Sequence, residues 1–347
     1  MEATRLLNEV RKDYLLNRWV VIATHRKRRP TDFAKQAAAT QTADTNACPF
    51  CPGNERMTPP AVLVYLKDRD SIVAERDTNG LRHTGWLIRC VPNLYSAFSP
   101  PEGGESFDSC RAAGHHEVLV ESPSHIEHPA ASTVSQLVHV VNGYIDRLKA
   151  LSAKPYVRYV SVFRNHGLDA GASLSHAHSQ IIATPTVPAT LSSELEASRG
   201  FYEENGECVF CDILKREKGG PRFVWENQDF AAFTSWAGVN PFEFWIMPKK
   251  HQGTLLDLEP RMAEGLAKAL KTCLGALCTL LNDPPYNFGF HIAPDEQAAD
   301  FYHWHLEVYP KLSIWAGFEK STGMYINTVP PEDAAQSLKD AIQEQQA

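Results

Sequence analysis

The chain has 347 residues, 43% hydrophobic and 22% charged, a composition typical of globular proteins and long enough for two medium-sized lobes. Its formal charge of −7 excludes a global basic field for gripping nucleic acid, so no nucleic-acid partner is expected. No apolar run reaches the ~20 residues of a membrane helix and the first residues contain no signal-peptide core, so a soluble, cytoplasmic protein without a membrane partner is expected.

In chain order, the first chemical signal is Cys48-Pro-Phe-Cys51, matched later by Cys208-Val-Phe-Cys211. In a reducing compartment, C-x-x-C reads as a metal-ligand pair or a redox motif, and two copies favour metal. A strand, His116–Glu121, is predicted next, ending in Ser122-Pro-Ser-His125. A helix follows from about Thr133 to Leu151, with Leu137, Val140, Val141, Tyr144 and Leu148 at helical spacing. Thr133 and Gln136 are placed as a capping box. A strand over Tyr156–Phe163, a Gly-rich turn and then His176-Ala-His178 complete the first unit.

Thr184-Pro-Thr-Val-Pro-Ala-Thr breaks the periodicity, and a join is placed near Pro185–Gly200. After Cys208/Cys211 comes a strand over Phe242–Met247 that ends in Pro248-Lys-Lys-His251. The predicted helix from Pro260 to Leu281 puts Leu266, Leu270, Leu274, Leu277 and Leu281 on one face. A strand over Tyr286–His291 precedes His303-Trp-His305. His125 and His176 are 51 positions apart and His251 and His303 are 52 apart, with matching elements between. That agreement predicts a duplicated unit, with lobes at 1–185 and 200–347.

Each unit offers five metal-ligand candidates, namely two Cys, a lone His and an H-x-H pair, whereas a structural zinc site closes with four. A surplus His is then free for chemistry. The spacing leaves a second arrangement open: residues i and i+2 of a strand share a face, so both rings of H-x-H can chelate one ion.

Around the first pair the sequence runs Phe163-Arg-Asn-His-Gly-Leu-Asp-Ala-Gly-Ala-Ser-Leu-Ser-His-Ala-His-Ser-Gln180. This resembles the active-site segment of galactose-1-phosphate uridylyltransferases, a branch of the histidine-triad superfamily. Further similar stretches lie at Arg11–Val21, Arg26–Pro30, Cys48–Asn54, Val91–Tyr95 and Tyr302–Asp333. The resemblance implies an α+β fold of two histidine-triad-like lobes, each an antiparallel sheet with a packed helix, and a homodimer. It also implies nucleotidyl transfer between sugar 1-phosphates, with a nucleotide sugar and a sugar 1-phosphate as partners.

By the same resemblance, Cys48, Cys51, His125 and His176 would hold one Zn2+ and His178 would be the covalent nucleophile. A second Zn2+ would sit on Cys208, Cys211, His251 and His303, the choice of His303 over His305 resting on the internal repeat. Some relatives replace that second site with a differently composed iron site. Gln180 is the expected catalytic donor to the non-bridging phosphoryl oxygens, and Arg26, Arg29, Asn93, Asn165, Gly171 and Ser173 the phosphate and nucleotide contacts. Phe318 and Glu319 would meet the hexose. Ala172 stands where some uridylyltransferases have Cys, and Lys320-Ser321 differs from the small or aromatic residues common in relatives. The Ser175–Gln180 segment also resembles the ADP-glucose phosphorylases, the same-chemistry alternative. A metal-dependent phosphate-ester hydrolase and a non-catalytic zinc-stabilised nucleotide-binding module are the alternatives from other classes. His115, His116, His128 and His166 have no assigned role.

Overall fold

The computed structural model describes residues 8–26, 28–33, 45–101, 112–125 and 128–346. The small sheet pairs β1 (Glu9–Lys12) with β2 (Trp19–Ile22), and β2 in parallel with β14 (Tyr325–Asn327). Eleven strands form the main sheet among the described residues. One half runs inward from its edge as β4 (Ser71–Glu75), β3 (Leu63–Asp68), β5 (Trp86–Pro92), β6 (His115–Val120), β8 (His178–Thr184) and β7 (Tyr159–His166). The other runs outward as β12 (Tyr286–His291), β13 (His305–Pro310), β11 (Phe244–Pro248), β10 (Phe230–Thr234) and β9 (Phe223–Glu226).

That order makes the duplication visible. On either side of the central antiparallel β7–β12 pair stand β8 and β13, each opening on the second His of its pair, then β6 and β11, each leading to a lone His. Helices α1 (Val134–Ser152) and α4 (Pro260–Leu281) repeat the pattern and pack against each other. Their predicted apolar faces are buried: Leu137, Val140, Val141, Tyr144 and Leu148 on α1, and Leu266, Leu270, Leu274, Leu277 and Leu281 on α4. Burial of a face this wide supplies most of a helix's stability in a folded protein.

Some local expectations are revised. Thr133 does cap α1, its side chain accepting the Gln136 N–H, but the Gln136 amide does not fold back to complete the box. It donates instead to the carbonyls of Leu87 and Glu121 (2.8 and 2.7 Å), because two buried carbonyls outrank one exposed N–H. β7 begins three residues later than expected, after a turn in which Val157 N–H donates to Lys154 O. The joining stretch carries a helix, α2 (Ala189–Asn205), started by Pro188 with φ −59°, a value suited to entering a helix. The remaining helices are α3 (Val209–Glu217), α5 (Gly317–Thr322) and α6 (Pro331–Gln346).

Candidate active site and metal centres

Strand alternation decides which side chains meet. Val120 pairs with His178 and Val118 with Gln180 across β6–β8, while Phe163 pairs with Gln180 across β7–β8. His178 and Gln180 therefore share one face with Val118, Val120 and Phe163. The residues between them point to the opposite face, under α1, where Tyr144 Oη lies 2.6 Å from Ser179 Oγ and 3.3 Å from Glu121 Oε1. Arg164 forms a buried ion pair with the same Glu121, and Arg147 grips Glu117 through two 2.7 Å bonds. These contacts tie β6, β7 and β8 to α1 immediately behind the candidate site.

The first ligand group assembles on the strand ends. Cys51 Sγ lies 3.1 Å from His125 Nδ1 and 3.6 Å from His176 Nδ1, and Cys48 Sγ is 3.6 Å from His176 Nδ1. His176 Nε2–H donates to Ser122 O at 2.8 Å, which leaves Nδ1 with its lone pair facing the sulfurs. Burial lowers the His176 pKa to about 4, keeping the ring neutral. Burial together with Cys48 pushes the Cys51 thiol up to about 11. Two imidazoles and two thiols whose ligand atoms lie within 4.8 Å of one another are the donor set of a tetrahedral N2S2 metal site.

His178 is not part of that group. Its ring is 8% exposed, beside Phe50 at 5.4 Å between centroids, and its Nδ1 lies 2.7 Å from the carbonyl oxygen of His176. A carbonyl only accepts, so Nδ1 carries the proton and Nε2 the lone pair. Burial lowers the His178 pKa, which favours this neutral form. The H-x-H pair is thus divided, His176 joining the ligand group and His178 lying outside it.

Cys208, Cys211, His251 and His303 form the second group, with Cys211 Sγ 3.3 Å from His251 Nδ1 and 3.5 Å from His303 Nδ1. His251 is oriented by Ala299 O at 2.7 Å. His305 repeats the His178 geometry, its Nδ1 3.2 Å from His303 O, but the ring has no exposed surface. Trp245 stacks on it and Phe210 tilts against it, both at 4.7 Å. Its Nε2 faces Glu307 Oε1 at 3.3 Å, where the first unit has Gln180. His305, Glu307, His291 and Glu194 form another buried group whose ligand atoms lie within 4.8 Å of one another. Burial opposes charge on His291, yet Glu194 and Glu307 raise it to about 9. Sequence spacing did not find this group, since Glu194 lies in the joining stretch and His291 belongs to no pair.

Among the expected contact residues, Asn93 and Asn165 join the His178 face. Asn93 Nδ2 lies 3.0 Å from His116 Nε2, which is 2.8 Å from Gln180 Oε1. Asn165 Oδ1 accepts from Asn287 Nδ2 at 2.8 Å, and the same amide donates to Ala170 O at 2.8 Å. This holds the turn at Gly171, whose φ of +91° suits glycine and whose position faces the Asn165 amide. Ser173 is exposed on that turn. Asn287 was missed because it comes from the other unit and carries no motif; its only signal is its place on the strand equivalent to β7.

Arg26, Arg29, Phe318 and Glu319 flank the small sheet instead: Arg26 and Arg29 follow β2, where Arg28 N–H donates to Thr328 O just beyond β14, and Phe318 and Glu319 lie on α5 just before β14. Arg26, Arg29 and Phe318 are exposed, and Glu319 accepts the Ala316 N–H at 2.9 Å, capping its own helix. Among the described residues, no hydrogen bond or ion pair links these four side chains to the His178 face.

Comparison with known proteins agrees with this geometry. A sequence model described as "Galactose-1-phosphate uridyl transferase, N-terminal domain" matches residues 1–188. An ADP-glucose phosphorylase of Arabidopsis thaliana is 34% identical over 96% of this chain and 92% of its own length. A galactose-1-phosphate uridylyltransferase of Thermotoga maritima is 29% identical over 96% of this chain and 98% of its own. Among solved structures, the Arabidopsis thaliana ADP-glucose phosphorylase with bound ADP-glucose superposes with a TM-score of 0.81 at 32% identity, covering 96% of this chain and 98% of that one.

Proposed function

The chain belongs to the galactose-1-phosphate uridylyltransferase family as an enzyme of the hexose-1-phosphate uridylyltransferase type, and from that premise we propose that it moves a nucleoside monophosphate between sugar 1-phosphates on His178. The observation that carries this reading is the free Nε2 of a ring whose Nδ1–H is held by the His176 carbonyl. In the first half-reaction Nε2 attacks the α-phosphorus, a P–N bond forms, and the P–O bond to the first sugar 1-phosphate breaks with its electron pair. An oxygen of the second sugar 1-phosphate then displaces the imidazole, returning the pair to Nε2. The leaving group is a stable anion, so the chain's task is to bind charge, and Gln180 is the proposed donor to the non-bridging oxygens. Asn93, Asn165, Gly171 and Ser173 are proposed to bind nucleotide and phosphate, and Arg26, Arg29, Phe318 and Glu319 the distal phosphate and hexose.

The acceptor chemistry of the family supports UDP-glucose and galactose 1-phosphate as substrates. A second reading, adenylyl transfer from ADP-glucose to phosphate, is favoured by the 34% identity to the Arabidopsis thaliana enzyme. Zinc at the two Cys2His2 groups is supported by their donor sets, and bound zinc would fix the His176 backbone. The homodimer is supported by the family. A cytoplasmic location accords with the free cysteines and with the absence, among the described residues, of any helix long and apolar enough to cross a membrane. The two lobes are proposed to divide at 1–185 and 200–347. Intact-mass analysis after incubation with UDP-glucose or ADP-glucose tests the function, because the mass retained on the protein identifies the nucleotide. No adduct with either would refute the covalent mechanism.

A further inference from the structure

We infer that His116 is a positioning residue that sets the polarity of the Gln180 carboxamide, and so decides whether Gln180 presents a hydrogen-bond donor or an acceptor to the transferred phosphoryl group. The inference rests on the function proposed above. His116 lies two residues before Val118 on β6, the residue opposite Gln180, and so shares the His178 face. Its backbone carbonyl accepts the Asn93 N–H at 2.8 Å, and its ring stands between the Asn93 and Gln180 amides.

The ring has one proton to place when neutral. Ala97 N–H points at Nδ1 from 3.3 Å, and an amide N–H only donates, so Nδ1 is the acceptor and the proton sits on Nε2. Nε2–H then donates to Gln180 Oε1 at 2.8 Å. With the carbonyl end of Gln180 occupied, its NH2 is the end left for an anionic oxygen. Asn93 cannot donate to the same protonated nitrogen, so its NH2 is also left for substrate while its Oδ1 accepts the Tyr95 N–H at 2.9 Å. The other tautomer would take the Asn93 NH2 as its donor at 3.0 Å and invert only Gln180, turning the Gln180 NH2 toward the ring and its carbonyl toward the phosphate.

The test is single-turnover formation of the nucleotidyl-enzyme, followed by quench and intact mass with UDP-glucose and ADP-glucose. The variants are His116→Leu, His116→Asn, His116→Gln and Gln180→Ala, plus the Leu and Asn changes in the Gln180→Ala background. Leu removes the donor, Asn keeps polarity but is too short to reach Gln180, and Gln restores an N–H near the Nε2 position. The Leu and Asn variants are expected to react about 10- to 100-fold more slowly. That is less than the roughly 10²- to 10³-fold cost of deleting one donor to a developing charge, because Gln180 is retained and only its orientation is lost. Sugar-nucleotide affinity should change by less than about threefold, and His116→Gln should recover most of the loss. In the Gln180→Ala background either change should cost less than about twofold. Asn serves alone if the Leu variant fails to fold. Wild-type rates in the folded variants, or the same loss with and without Gln180, would overturn the role of His116. Absence of any adduct on the wild-type protein would instead overturn the proposed function, and this inference with it.

Discussion

The Nδ1 of His178 lies 2.7 Å from the carbonyl oxygen of His176, while the His176 ring turns its own Nδ1 toward Cys48 and Cys51. A backbone carbonyl thus gives two neighbouring imidazoles different surroundings, one ring facing two sulfurs and the other bonded to the carbonyl. The same bond recurs between His305 and His303, where Trp245 and Phe210 wall off the second ring. One geometry, repeated by duplication, therefore keeps a little exposure at His178 and none at His305.

His178→Ala is expected to abolish nucleotide exchange, by roughly 10³-fold or more, because the covalent route has no substitute nucleophile. Melting temperature and metal content should match wild type, since His178 lies outside the ligand group. Exchange assayed beside differential scanning calorimetry checks this, and ordinary activity in the variant would refute the assignment.

Adduct formation should tolerate acid better than a free imidazole would. Burial lowers the His178 pKa, so the reactive neutral form persists below the usual value of about 6.5. The rate is expected to be flat above about pH 6.5 and to fall as pH drops through the lowered value. The sign for stability is the same: the contribution is complete above the unfolded value and is lost as pH falls through the folded one. A rapid-quench pH profile with its acid limb at or above the free-imidazole value would contradict this.

Cys48→Ser should release about one equivalent of zinc and lower the melting temperature by roughly 5–10 °C, the effect of a few kcal/mol in a chain of this size. Activity should fall with it, because the His176 backbone that holds His178 would lose its anchor. Metal analysis by mass spectrometry and a thermal melt read both effects; unchanged metal content would exclude Cys48 as a ligand.

Glu121→Ala should destabilise the fold by about 3–5 kcal/mol, since it leaves the buried Arg164 guanidinium without its carboxylate. It also removes an acceptor from Tyr144. Urea unfolding measures the loss, and a change under about 1 kcal/mol would show that the pair contributes little.

Much of the site could be read in advance because it is written at short or repeated spacing. The two C-x-x-C pairs, the two H-x-H pairs and the near-equal intervals ending at His176 and His303 are properties of the chain itself. The apolar faces of α1 and α4 followed from helical periodicity. Gln136 misled because its capping position is local, whereas its partners, Leu87 O and Glu121 O, are not. Asn287, His116 and Glu194 carried no motif, and each acquires its place from a neighbour far away in the chain.

What the sequence by itself determined was the inventory and its duplication: covalent spacing and periodicity specify which groups repeat and which elements carry them. Tertiary structure alone decided how that inventory was divided. Cys48 meets His176 across 128 positions and Asn287 meets Asn165 across 122, because antiparallel strands set their registers through hydrogen bonds that no local pattern encodes. The roles of otherwise identical imidazoles follow from which oxygen, sulfur or aromatic wall each ring finds on folding.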